Sequence, residues 1–179
     1  MMVSSSSSSS SCFVVLSLAV LLQFLFVSAS TKSIDAICQR VTDKAFCVKT
    51  LTAYPPAASA STRFQAAKAA LSLGMSYAGK SAVYVAKAAK ENPNLKKQFA
   101  GCKDAFTTIV YSLKSASMEL KESPDTSNYD VMVCTDSTTI VKNLVGKNMD
   151  KASKTVMSMT LMMEKILAIA VGATLAVGG

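Results

Sequence analysis

The feature that most constrains this chain is the spacing of its apolar residues, which recur every three or four positions from Phe64 almost to the end. Phe64, Ala67, Leu71, Met75, Ala78, Ala82, Val85 and Ala89 fall on one stripe, because a turn of 3.6 residues stacks such positions on one helix face. Ala and Lys, both good helix formers, fill the gaps. The spacing predicts a helix from Thr62 to Glu91, about 45 Å long at 1.5 Å per residue, broken by Asn92-Pro93-Asn94. A second stripe reads Leu95, Phe99, Cys102, Phe106, Ile109, Leu113, Ala116 and Leu120. Residues 121–128, with Pro124 among them, read as a loop. A shorter third stripe holds Met132, Val133, Ile140, Val141 and Leu144, and Gly146-Lys147-Asn148 turns the chain. The last stripe is Met149, Ala152, Val156, Met159, Met163, Ile166 and Ala170. Met157, Met159, Met162 and Met163 read as bundle core in preference to an adaptable binding groove. Sustained alternation is missing, so strands are not expected. Four stripes with short connections predict an all-α fold, an up-and-down four-helix bundle over residues 57–179. Residues 30–56 form a smaller unit: Ile34, Ile37 and Val41 predict one short helix, and Phe46, Leu51 and Tyr54 a second. Each is too short to be stable alone.

The N-terminus reads as a segment removed from the mature protein. Ser4 to Ser11 precede an apolar stretch from Cys12 to Val27, interrupted at Gln23, and Val27-Ser28-Ala29 supplies the small residues of a cleavage site. No Lys or Arg precedes that stretch, yet it is short for a membrane span of about 20 residues. A signal peptide over residues 1–29 is the expectation, with a mature N-terminus at Ser30 or Thr31 and a secreted, extracellular product. The uncharged tail Ile166–Gly179 is likewise too short to span a bilayer, and no polar spacer for a glycolipid anchor precedes it. No membrane anchor is expected.

Four cysteines remain after that removal: Cys38, Cys47, Cys102 and Cys134. In an oxidising compartment an even set predicts two disulfides, and four cysteines allow three connectivities. Economy pairs Cys38 with Cys47 across eight intervening residues and leaves Cys102 with Cys134. The second pair meets a geometric objection. Cys102 lies about 27 Å from the predicted end of its helix, and Cys134 about 8 Å from the predicted start of the next. A bridge needs Cα atoms within about 7 Å. Either residues 115–133 fold back irregularly or both thiols stay unpaired; the bridge is the expectation, because secretion oxidises exposed thiols.

Chemistry is conspicuous by what is lacking. The chain has no histidine, which removes Ser-His-Asp and Cys-His catalysis, and it has no C-x-x-C spacing for zinc. Glu119/Glu122 and Asp125/Asp130 are acidic pairs in a polar, lysine-bearing stretch, not the sheltered carboxyls of a glycosidase. No catalytic residue, metal or cofactor is expected. The net charge of +8, from 19 Lys/Arg and 11 Asp/Glu, is dispersed, and Trp is absent, which argues against nucleic acid. Acidic polysaccharide is the polyanion such a surface could concentrate.

Several segments resemble a known family. Ile34-Asp35-Ala36-Ile37-Cys38 followed after a gap by Phe46-Cys47-Val48-Lys49-Thr50-Leu51 resembles the opening of the plant invertase and pectin methylesterase inhibitors. Leu95-Lys96-Lys97 and Cys102-Lys103-Asp104-Ala105-Phe106 are similar to that family's third-cysteine segment, and Glu119 to Val131 to a loop of one branch. The resemblance implies a helical hairpin ahead of a four-helix bundle, one disulfide in the hairpin and one joining the second and third bundle helices. It also implies a non-enzymatic protein that covers the substrate cleft of an apoplastic carbohydrate-active enzyme. Two departures stand out. The Pro-Lys-Phe of invertase inhibitors is replaced by Ser123-Pro124-Asp125-Thr126-Ser127, which favours pectin methylesterase over acid invertase as partner. The fourth cysteine also comes early; related chains place it near Val141. A non-inhibitory wall protein that binds acidic polysaccharide is the alternative. Lys114, Lys121, Asp125 and Tyr129, on the second and third bundle helices and their connection, are the candidate partner-binding residues.

Overall fold

The computed structural model describes residues 31–179. The leader expected over residues 1–29 lies outside the described residues. Helix α1 covers residues 31–38, and α2 (Lys44–Thr52) follows, capped by Asp43, whose side chain accepts the Phe46 N–H. The Cys38–Cys47 disulfide ties the two together. Pro55-Pro56 does not merely end the hairpin: it opens a one-turn helix, α3 (Pro55–Ala58), because proline is preset for the first helical positions.

The bundle follows. Helix α4 (Arg63–Glu91) is capped by the Thr62 side chain on the Gln65 N–H and stops at Asn92, as its sequence predicts. A 3₁₀ turn at Pro93–Leu95 leads into α5 (Lys96–Glu119). The segment expected as a loop is mostly helical: α6 runs Pro124–Met132, with Pro124 at its first position, and only residues 120–123 turn. After a break at Val133, α7 (Cys134–Val145) continues, so the third bundle member is a broken rod. Helix α8 (Lys151–Ala176), capped by Asp150 on the Ser153 N–H, closes the bundle. In the ring α4–α5–α7–α8 each helix packs on its sequence neighbours, and α8 returns to α4.

Packing follows side-chain size. Six alanines on α4 are buried, and Gly74 sits so close to α5 that a Cβ there would lie 2.7 Å from Leu113. Helix α5 supplies the bulk: Phe99, Phe106, Ile109 and Leu113 are fully buried, each stabilising by about 1.5–3 kcal/mol. Helix α8 is long and apolar enough to cross a membrane by composition, but half of its most apolar stretch is buried inside the bundle. Of its methionines, Met163 is buried, Met157 and Met159 are half-buried, and Met162 is exposed. Met149, expected on the last stripe, lies outside α8 and is exposed.

The hairpin is seated on the C-terminal half of α8. A Cβ on Gly172 would lie 2.7 Å from Val41 and 3.0 Å from the Ile37 carbonyl oxygen, so only glycine permits this approach. Lys165 pairs with Asp43 at 3.2 Å and lies 4.9 Å from the centre of the Phe46 ring. The Phe46 N–H, and then Lys165, hold the Asp43 carboxyl below the usual carboxylate range.

One expected bridge is corrected. Cys102 and Cys134 are both buried and unpaired. Register explains it. Asn148 hydrogen-bonds Gln98 at 2.7 Å, Gly101 faces Leu144, and the Ser112 hydroxyl sits beside Cys134. Each step along α5 is thus matched by a near-equal step back along α7. Cys134 stands level with Ser112, ten residues or about 15 Å beyond Cys102. Straightening α5–α7 could not close such a gap. The buried α7 residues level with Cys102 are Val141 and Val145.

Candidate functional site

Among the described residues the two free thiols are poor nucleophiles. Burial pushes the Cys102 thiol up to about 11, and burial, only partly offset by the Ser112 hydroxyl, does the same at Cys134. Neither is a thiolate at neutral pH. Among the described residues no cluster of three His, Cys, Asp or Glu could hold a metal. What the surface offers is contact area.

On α5 the inward stripe leaves a second, outward one: Tyr111, Lys114 and Met118, continued by Lys121 just past the helix end. Tyr111 and Met118 are each 67% exposed. The outward side of α6–α7 carries Asp125, Tyr129, Met132, Asp136 and Ile140 at intervals of three or four. Tyr129 is 65% exposed and Met132 53%. Helix α6 is held against α5 by the buried Ser127 hydroxyl, which donates to the Ala116 carbonyl at 2.8 Å. That bond brings Tyr129 to roughly the height of Lys114, and the Cys134–Ser112 contact brings Met132 near that of Tyr111.

Of the four candidate partner-binding residues, all are exposed. Lys114 and Lys121 stand two turns apart along the α5 side, Asp125 and Tyr129 one turn apart on α6. No hydrogen bond or ion pair joins the four to one another among the described residues; Lys121 pairs with Glu122 at 3.3 Å. Both partners of that pair are more than three-quarters exposed, so it is weak and free to exchange. Tyr111, Met118 and Met132 are not among those four. The signal for Tyr111 and Met118 is a large apolar residue out of phase with the core stripe; Met132 lies on the stripe expected for the third helix and is exposed instead. Glu119 differs from the other acidic residues here: its Oε2 is buried without a partner among the described residues.

The hairpin seat, the bundle and this outward face belong to a fold whose sequence pattern has been met before. A profile described as plant invertase/pectin methylesterase inhibitor matches residues 32–169. The chain belongs to that family. Its members are inhibitors, which agrees with the exposed apolar surface on α5 and α6. Among curated proteins, nothing matches the chain. Within the family's framework the hairpin disulfide is present, and the bundle disulfide implied by the resemblance is not.

Proposed function

We propose that this protein is secreted into the apoplast and inhibits pectin methylesterase by covering its substrate cleft with the outward face of α5 and α6. The observation that carries the proposal is the set of large apolar side chains left outside the core on those two helices, at Tyr111, Met118, Tyr129 and Met132. A tyrosine with a rigid ring and a polar tip is the residue type that dominates interface energetics. Lys114, Lys121 and Asp125 surround it with charges that set orientation and association rate.

Invertase is the other enzyme named by the family description. The α5–α6 turn speaks for pectin methylesterase, since Ser123-Pro124-Asp125-Thr126-Ser127 offers no basic residue beside an aromatic one. The test is an inhibition assay of the protein, purified from a secreting host, against both enzymes at mildly acidic pH. Pectin methylesterase is inhibited and invertase is not. Tyr129→Ala weakens inhibition about 30-fold, corresponding to about 2 kcal/mol, and Lys121→Glu slows association. If neither substitution changes inhibition, the contact face is another. Inhibition that persists at raised salt separates a packed interface from dispersed charge contacts with acidic polysaccharide. N-terminal sequencing of the same material reads Ser30 or Thr31; retention of Phe13 to Val27 refutes the leader.

A further inference from the structure

The only two arginines in the chain, Arg40 and Arg63, line the same place. It lies at the end of the bundle where the hairpin, the start of α4, the end of α5 and the end of α8 converge. Two adjoining cavities open there, of about 560 Å³ and about 390 Å³, and both arginines and Ala176 belong to both. Lys121 lines the larger one. No Asp or Glu side chain lines either. Among the described residues neither arginine pairs with a carboxylate. Arg63 is also the first residue of a 29-residue helix, whose N-terminal amides add positive potential at that point. Phe64, Leu120 and Leu175 supply apolar wall.

We propose that this cleft binds the carboxylates of a uronic-acid chain. A guanidinium presents a planar fork of donors that matches a carboxylate with two parallel hydrogen bonds, which a lysine cannot do. Two forks shared between adjoining cavities suit carboxylates that recur along a polymer, and the apolar wall suits the C–H face of a pyranose ring. The choice of uronate, over another carboxylate, rests on the proposed target: hydrolysis of a methyl ester on pectin leaves a carboxylate on the sugar. The inhibitor would then hold the product of the enzyme it covers, at a site separate from the α5–α6 face except for Lys121 at their border.

Titration calorimetry of the whole protein with a short, de-esterified oligouronide tests this without any enzyme present. Saturable binding is expected, and none by the fully methyl-esterified oligomer. Arg40→Gln/Arg63→Gln weakens binding at least about tenfold, as expected for loss of charge-assisted bidentate contacts. Lys80→Gln/Lys97→Gln removes the same charge from exposed positions elsewhere and leaves binding within about twofold. Equal losses in the two variants, or equal binding of the methyl-esterified oligomer, overturn the proposal. A glutamate oligomer that binds as tightly as the uronide also overturns it and assigns the cleft to acidic peptides. Thermal unfolding of each variant is measured alongside, and should the double arginine variant not fold, Arg40→Gln alone carries the comparison. A failed titration leaves the inhibition assay untouched; a failed inhibition assay removes the reason for choosing uronate, and the titration alone then decides the cleft.

Discussion

Helix α5 and the broken rod α6–α7 lie side by side and use their side chains in opposite ways. On α5 every apolar residue of the predicted stripe from Phe99 to Leu120 is buried. On α6–α7 the buried positions include Ser127, Ser137 and Thr138, while Tyr129, Met132 and Ile140 face out. Two of these three hydroxyls are bonded inside the protein: Ser127 to the Ala116 carbonyl, Thr138 to the Thr135 carbonyl and to Glu164. Apolar groups on the outside gain nothing from folding. The contrast teaches where to look for a partner: a helix that buries serine and exposes tyrosine is not arranged for its own stability.

Substitutions can break that contrast or sharpen it. Phe106→Ala empties the middle of α5's buried stripe and costs about 3–5 kcal/mol, read as a fall in the denaturation midpoint. A loss near zero would mean that α5 is not the core helix. Next in size is a gain. Val141→Cys, or failing that Val145→Cys, places a thiol level with Cys102 and should restore a bridge between α5 and α7, stabilising by about 2–4 kcal/mol. Intact-mass measurement without reduction, showing two hydrogens lost, checks it; if neither variant oxidises, the register given for the two helices is wrong. In the parent protein a thiol reagent at neutral pH finds no reactive cysteine until denaturant is added, and then finds two, because burial holds both thiols near 11. Ser127→Ala removes the buried bond that docks α6 onto the Ala116 carbonyl, for about 1 kcal/mol. Smallest of all, Ile140→Ser on the exposed side of α7 stays within about 0.5 kcal/mol. A larger loss would show that Ile140 is packed after all.

The same contrast explains what could be read from the sequence. Helix α4 was legible to within one residue at its start and to the residue at its end, since Thr62 caps it and Asn92-Pro93 stops it. The α5 stripe was legible because its apolar residues all point one way. Helix α6 is not legible because Pro124 carries two opposite signals, a breaker inside a helix and, after Ser123, a helix-opening residue. The α7 stripe is legible only in part: Val141, expected as core, is buried, whereas Met132 and Ile140, apolar and expected as core, are exposed, and burial goes instead to Val131, Cys134 and Ser137. Partner contact, unlike core packing, leaves no periodic trace of its own. Tyr129 is legible from its chemistry, and Tyr111 and Met118 from being out of phase with the α5 stripe. The Cys102–Cys134 pairing failed for a related reason. Counting cysteines assigns partners by elimination, while helix register decides which can meet.

The hairpin disulfide closes a loop of only eight intervening residues, and this has a consequence for biosynthesis. Closure entropy favours contacts between positions close in sequence, so Cys38 and Cys47 meet readily in a chain that has not yet folded. Cys102 and Cys134 have no native partner to reach and are protected only by being enclosed between helices. In the oxidising compartment that the proposed secretion implies, the bundle would race against mispairing, and helical, sequence-local contacts favour a fast finish. Fast folding would then do what a second disulfide does elsewhere: take two thiols out of circulation.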